Sequence, residues 1–214
     1  MKFPPLVEAK FVERKNRFVA LVELKGRLYS AYVRNTGRLT ELLYGGNRVY
    51  LAERGGKHPY EITLASYGHH LVCVDSHLTP KLLGEFLGVA EFEPKFGEVR
   101  FDLLWKGRPV EVKSVNLVRG RVALFPDAPT PRGRRHIRKL IELSKLGHEP
   151  LLVFVVQRED GEVFSPNRKV DPDFAQALEE YLSHGLEVRA YRCSVSLEEI
   201  KIKEQVPISL EAVP

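Results

Sequence analysis

The sequence predicts an all-β N-terminal part followed by an α/β domain, on three observations. Residues 1–77 alternate short β-prone runs with turns, and from residue 78 helical and strand patterns alternate. The charge divides at the same place. Residues 1–77 hold 12 Lys+Arg against 7 Asp+Glu, whereas residues 78–214 hold 21 of each, so the whole net charge of +5 belongs to the first third. Within the neutral remainder, residues 119–145 carry eight basic residues against Asp127 and Glu142. Such unevenness points to a polyanion partner; the alternative is a solvated surface rich in arginine.

The first part divides into β-prone runs. Phe18–Leu24 and Leu28–Val33 flank Lys25-Gly26, a hairpin signal. Leu39–Tyr44 is expected to form a short helix ended by Gly45-Gly46. Arg48–Ala52, Tyr60–Leu64 and Leu71–Asp75 complete about five strands, which suit an OB-like barrel over residues 1–77. An SH3-like barrel fits the same periodicity less readily.

In residues 78–214, Thr79-Pro80 opens a helix through Leu87, because proline is favoured at the first helical position. Strands follow at Glu98–Trp105, Val110–Val115 and Arg121–Leu124. A basic amphipathic helix spans 132–146, and Leu151–Val156 is an apolar run that marks a strand buried on both faces. A helix over Asp173–Ser183 and a strand over Leu186–Cys193 end the pattern.

Hydrophobic and charged shares of 43% and 29% are those of a globular chain, and no apolar run nears the ~20 residues of a membrane span. The start, Met1-Lys2-Phe3-Pro4-Pro5, does not read as a signal peptide. Cys73 and Cys193 read as buried thiols, so a cytoplasmic location is expected.

The sharpest chemical signal is Asp102 followed by Glu111-x-Lys113. A turn centred on Lys106-Gly107 sets Leu103 opposite Val110 and Phe101 opposite Val112, an apolar face. The other face then sets Asp102 opposite Glu111 and Arg100 opposite Lys113. Because Pro109 cannot donate to the ladder, a four-residue tip is expected. Opposed carboxylates repel unless something neutralises them, and Mg²⁺ suits two carboxylates plus waters. Lys113 on the same face would stabilise charge on a phosphate. This is the arrangement of the PD-(D/E)xK nucleases, and the order helix, three strands, helix, buried strand matches their core. The second domain is therefore expected to be restriction-nuclease-like. The plain alternative is an exposed charged face with diagonal ion pairs. Glu85, on the preceding helix, is a candidate further metal ligand or a solvated helix residue.

Candidate DNA contacts fall in two places. Arg14, Lys15, Arg17, Arg34, Asn35 and Arg38 lie in barrel loops, with Tyr29 and Tyr32 either stacking bases or filling the core. Arg132, Arg134, Arg135 and Lys139 open the basic helix, where helix N-terminus and guanidinium forks favour phosphate. Gln157 closes the buried strand and is expected to point at the hairpin's polar face.

Several longer motifs run in order: Arg14-Lys15-Asn16-Arg17-Phe18, Asn35-Thr36-Gly37-Arg38-Leu39, Val110-Glu111-Val112-Lys113, and Leu124-Phe125-Pro126-Asp127-Ala128-Pro129-Thr130 with Arg132-Gly133. Phe154-Val155-Val156-Gln157-Arg158 and Phe164-Ser165-Pro166-Asn167 follow. Together they resemble the sugar fermentation stimulation proteins. The resemblance implies an OB-like domain before a nuclease-like one, sequence-non-specific DNA binding, and a regulatory role in sugar, especially maltose, utilisation. Two functions follow as expectations: a DNA-binding regulator, or a Mg²⁺-dependent nuclease acting through Asp102, Glu111 and Lys113. RNA stands beside DNA as a partner, since OB barrels serve both polymers.

Overall fold

A computed structural model describes residues 1–89 and 91–211; Ala90 and the last three residues of the expected second domain lie outside that range. Six strands build the first unit: β1 (Leu6–Arg14), β2 (Val19–Leu24), β3 (Arg27–Tyr32), β4 (Arg48–Glu53), β5 (Tyr60–Tyr67) and β6 (His70–Cys73). Five close a ring in the order β1-β2-β3-β5-β4, and β6 extends it beyond β5. The ring closes where β3 runs parallel to β5, with Ala31 opposite Tyr60 and Tyr32 opposite Glu61. That is the expected OB-like barrel.

Sequence reading overlooked β1, although its period of two is plain in hindsight. Ala9 and Phe11 are buried while Glu8 and Lys10 face solvent. The helix expected over Leu39–Tyr44 is instead a single turn, in which the Leu43 amide donates to the Leu39 carbonyl at 2.8 Å. Leu39 sits at φ 53°, so a helix cannot begin there. Its leucines still serve the barrel, because Leu39, Leu42 and Leu43 all belong to the barrel core.

The second unit opens with α1 (Thr79–Leu87), then β7 (Lys95–Phe96), β8 (Val99–Arg100), β9 (Leu103–Trp105), β10 (Arg108–Val115), β11 (Leu117–Arg119) and β12 (Val122–Phe125). It continues with α2 (Pro131–Lys145), β13 (Leu151–Val156), β14 (Val163–Pro166), α3 (Pro172–Ser183), β15 (Glu187–Val195) and β16 (Ile200–Val206). The main sheet has the order β16-β15-β13-β10-β9, with β10, β13 and β15 mutually parallel and an antiparallel strand at each edge. β7, β11, β14 and β16 have no counterpart among the strands expected from sequence. The strand expected over Glu98–Trp105 is broken in two, since β8 pairs with β7 and only β9 joins the main sheet.

β13 is buried along its whole length, as its apolar run predicts. Leu152, Phe154 and Val156 pack with α2 and α3, around Ile137, Leu140, Phe174 and Leu178. Leu151, Val153 and Val155 pack on the other face with Leu82 and Leu83 of α1. Tyr50, Leu64 and Cys73 of the barrel join that second cluster, so one apolar layer runs under both units.

Polar bonds stitch the same junction. Asn35 Nδ2 donates to the Val74 carbonyl (3.0 Å) and to Asn116 Oδ1 (2.9 Å), and Asn116 Nδ2 donates to the Cys73 carbonyl (2.6 Å). Gln157 Nε2 donates to the Asp75 carbonyl at 3.0 Å, and its backbone carbonyl accepts from the Cys73 amide at 3.0 Å. Gln157 therefore holds the barrel rather than facing the hairpin's carboxylates. The chain's first residues cross over as well, with the Met1 amino group donating to the Ile200 carbonyl at 2.8 Å.

Candidate functional site

The hairpin of β9 and β10 keeps the predicted register as far as Val110, which pairs with Leu103. Its tip is the two-residue turn Lys106-Gly107, both at positive φ (52° and 78°), which suits the strand twist. The four-residue tip expected from Pro109 is absent; Pro109 pairs with Leu104 inside the ladder.

Beyond Val110 the ladder ends, and the Asp102 side chain takes over. Its backbone amide donates to the Val110 carbonyl at 3.0 Å, while its Oδ2 accepts from the Val112 amide at 2.7 Å. The carboxylate thus occupies the place where the next strand residue would have bonded. Phe101 does not face Val112: its amide donates to the Pro94 carbonyl and its ring lies in the core beside Phe96. Arg100 does not face Lys113 either; it pairs with Lys95 across β7–β8 and lies 3.4 Å from Glu93.

The structure brings Asp102, Glu111 and Lys113 together and adds His136 from α2. Glu111 is 3% exposed. Its Oε1 accepts from Lys113 Nζ at 2.5 Å and lies 2.5 Å from His136 Nδ1. Its Oε2 is buried and has no hydrogen-bond partner among the described residues. Burial alone would raise the Glu111 carboxyl, but Lys113 and His136 outweigh it and hold it below the usual range. Asp102 goes the other way. Burial, then the charge of Glu111, push it up to about 6, against the Val112 amide, Lys113 and His136.

One carboxylate stays charged with an unused oxygen, and its neighbour, buried beside that charge, resists ionisation. A divalent cation would supply both needs. Both donors are hard oxygens, which suit Mg²⁺, Ca²⁺ or Mn²⁺. Among the described residues no group of three His, Cys, Asp or Glu forms a metal cage, so a cation here would keep much of its water. Glu85 does not extend the pair. It is half exposed and lies 3.6 Å from the Met1 amino group, which draws it to the amino terminus.

The predicted DNA contacts separate into inward and outward groups. Arg14 is spent internally, donating to the carbonyls of Gly37 (2.6 Å), Arg38 (3.0 Å), Arg17 (2.6 Å) and Asn35 (2.8 Å). Asn35 is buried in the junction already described. Arg34 lies 3.4 Å from Asp75 and 3.8 Å from Glu61. Arg134 holds Asp171 (2.8 Å) and Asp173 (3.0 Å), and so ties α2 to α3. Lys15 pairs with Glu13, and Lys139 with Glu142 at 2.8 Å.

Arg17, Arg38, Arg132 and Arg135 are exposed and make no ion pair among the described residues. Arg17 from the barrel and Arg132 from α2 line one polar cleft of about 490 Å³, together with Thr36, Ser114 and Thr130. Asp127 shapes its wall by accepting from the Leu39 amide at 3.1 Å. A Cβ at Gly37 would come within 2.5 Å of the same carboxylate, so glycine is required there by close approach. Tyr29 packs edge-on against Tyr60 in the barrel wall. Tyr32 stacks on the exposed Phe18 (centroids 6.2 Å apart), with the Arg54 guanidinium 4.7 Å from its ring centre.

His136 was hidden in sequence by the arginines around it, and only the tertiary fold sets it against Glu111. Phe18, expected inside a strand, instead precedes β2 and exposes its ring.

Comparison with known proteins accounts for both units. Residues 12–74 match the family model for the SfsA N-terminal OB domain, and residues 72–199 that for the sugar fermentation stimulation protein RE domain. A sugar fermentation stimulation protein homolog of Aquifex aeolicus is 52% identical over 211 residues, covering 95% of this chain and 98% of that protein. One from Desulforamulus reducens is 40% identical over 224 residues, covering 97% and 94%. The solved structure of Pyrococcus furiosus SfsA in complex with Ca²⁺ superimposes with a TM-score of 0.91 at 32% identity, covering 98% of each chain. The chain belongs to the sugar fermentation stimulation protein family.

Proposed function

We propose that the protein binds DNA through its backbone, largely without sequence preference, and acts as a regulator linked to sugar utilisation, maltose in particular. The observation that carries the reading is the cleft between the two units, where Arg17 and Arg132 face solvent with no acidic partner among the described residues. Guanidinium groups left free in this way are suited to phosphate oxygens. Arg38, which lines a neighbouring cleft with Arg119, and Arg135 on α2 are further exposed guanidinium groups, and the Phe18–Tyr32 stack offers a face to an unpaired base. The link to sugar metabolism rests on membership of the family. Binding to labelled duplex should weaken steeply with salt, as phosphate contacts release counterions. Salt-insensitive binding, or none, would overturn the reading. Competition by RNA reveals whether the surface distinguishes the two polymers.

A second reading is favoured by the orphaned Glu111 Oε2 beside the reluctant Asp102. In it the protein is a nuclease, with Asp102 and Glu111 holding a divalent cation such as Mg²⁺. Bound there, the cation would polarise a phosphodiester and activate water. Lys113, released from Glu111, would bind a non-bridging phosphate oxygen and stabilise its developing charge. The Ca²⁺ of the Pyrococcus furiosus protein supports the cation in kind. Incubating the protein with single-stranded, duplex and branched DNA plus Mg²⁺ or Mn²⁺, beside Asp102→Ala, tests it. Cleavage by the parent alone supports catalysis; no cleavage of any substrate leaves a binding protein.

A further inference from the structure

His136 lies in the most basic stretch of the chain, yet it does not serve the surface. Its neighbours Arg132, Arg135 and Arg138 point to solvent, whereas its own side chain is 14% exposed and faces the hairpin. The ring meets the edge of the buried Phe101, with centroids 6.2 Å apart, and Nδ1 reaches Glu111 Oε1 at 2.5 Å. Since a carboxylate only accepts, Nδ1 carries the proton of that bond. α2 is fixed behind it, because Ile137, Leu140 and Ile141 are buried against the sheet and Arg134 ties the helix to Asp171.

We infer that His136 is a positioning residue for the cation-binding carboxylate, which rests on the reading of the hairpin as a divalent-cation site. Lys113 and His136 both bond Oε1 of Glu111, so the side chain is held in one orientation and Oε2 alone is left open. A glutamate is a flexible ligand, and ordering it beforehand removes an entropic cost from cation binding. The two donors are not equivalent. Lys113 sits on the same strand as Glu111, and its ammonium group is the one a phosphate would draw away. His136, anchored on a different element, keeps Glu111 in place when Lys113 is engaged. The carboxylate is thus held from two sides, one able to leave and one fixed.

The test is a calorimetric titration of the full-length protein with Mn²⁺, comparing the parent with His136→Ala, His136→Asn and Glu111→Gln. Asn keeps an N–H donor close to the position of Nδ1 and guards against a cavity that unfolds the protein. Removal of an outer partner of a ligand is expected to weaken binding about 10- to 100-fold, so His136→Ala should lose affinity in that range. His136→Asn should recover most of it, and Glu111→Gln should abolish binding. A purely structural histidine would lower the melting temperature without this rescue. Mn²⁺ binding by His136→Ala as tight as the parent's, with Glu111→Gln still abolishing it, overturns the role of His136 and leaves the cation site standing. Equal loss in the Ala and Asn variants, both folded, also overturns it. A parent that binds no Mn²⁺ overturns both the site and the inference.

Discussion

Asn35 and Asn47 in the barrel, and Asp102 and Glu111 at the hairpin, are all polar side chains drawn out of water, but their surroundings differ in kind. Asn47 Nδ2 donates to the carbonyls of Leu42 and Ser66, and both ends of Asn35 are bonded. Each asparagine is neutral and satisfied, so it fixes loop geometry at little electrostatic cost. The hairpin carboxylates carry like charge, one has an oxygen without a partner among the described residues, and the other is driven toward its protonated form. Perturbed carboxylates of that sort cluster at functional sites, which supports the proposed cation site. The barrel spends polar groups on structure, and the hairpin holds them in reserve.

The largest expected break in this contrast is chemical. Glu111→Gln or Lys113→Ala should lower any metal-dependent cleavage by at least ~10²-fold, while DNA affinity measured by fluorescence anisotropy stays near that of the parent. On the barrel side the penalty should appear in stability instead. Asn35→Ala deprives the Val74 carbonyl, Asn116 Oδ1 and the Gly37 amide of their partners. It should cost about 2–3 kcal/mol in chemical denaturation, a drop of roughly 5–10 °C in Tm.

Asp102→Asn should have the opposite sign. Asp102 titrates at about 6 in the fold against an ordinary 3.8, so between those values the folded protein holds a proton that the unfolded chain has released. Stability therefore falls as pH rises through this window, and the ionised carboxylate is a burden above it. Without divalent metal, Asp102→Asn should be about 1–2 kcal/mol more stable than the parent at pH 8, with the gain gone below about pH 4. Added Mg²⁺ should reverse the ranking at pH 8, because only the parent can bind it fully. The smallest effect belongs to Glu85→Ala. Since Glu85 faces the amino terminus, Mn²⁺ affinity should change by less than about twofold.

Much of this could be read from sequence because it depends on local pattern. The apolar run Leu151–Val156 allows only a strand buried on both faces, and Lys106-Gly107 sets the hairpin register at Val110 and Leu103. Thr79-Pro80 marks a helix start, and that helix begins at Thr79; the helix expected from Asp173 begins one residue earlier, at Pro172. What escaped was tertiary. The ladder stops at Leu103 because the Asp102 carboxylate replaces a strand partner, which no periodicity reveals. Whether an arginine faces inward depends on carbonyls and acids distant in sequence: Arg14 reaches Gly37, and Arg134 reaches Asp171. In β16 the alternation Ile200-Lys201-Ile202-Lys203 is legible, but Lys203, Glu204 and Gln205 are exposed in succession and break the period in the strand's second half.

The measurement that bears most directly on the central claim is the salt dependence of DNA binding for three forms of the protein. Labelled duplex would be titrated with the parent, the double variant Arg132→Ala/Arg135→Ala, and Asp102→Ala, at increasing salt. If the outward arginines bind phosphate and the hairpin does not, the slope of log affinity against log salt should shrink by about 2 in the arginine variant. It should be unchanged in Asp102→Ala. An arginine variant with the parent's slope and affinity, or binding lost only in Asp102→Ala, would contradict the account.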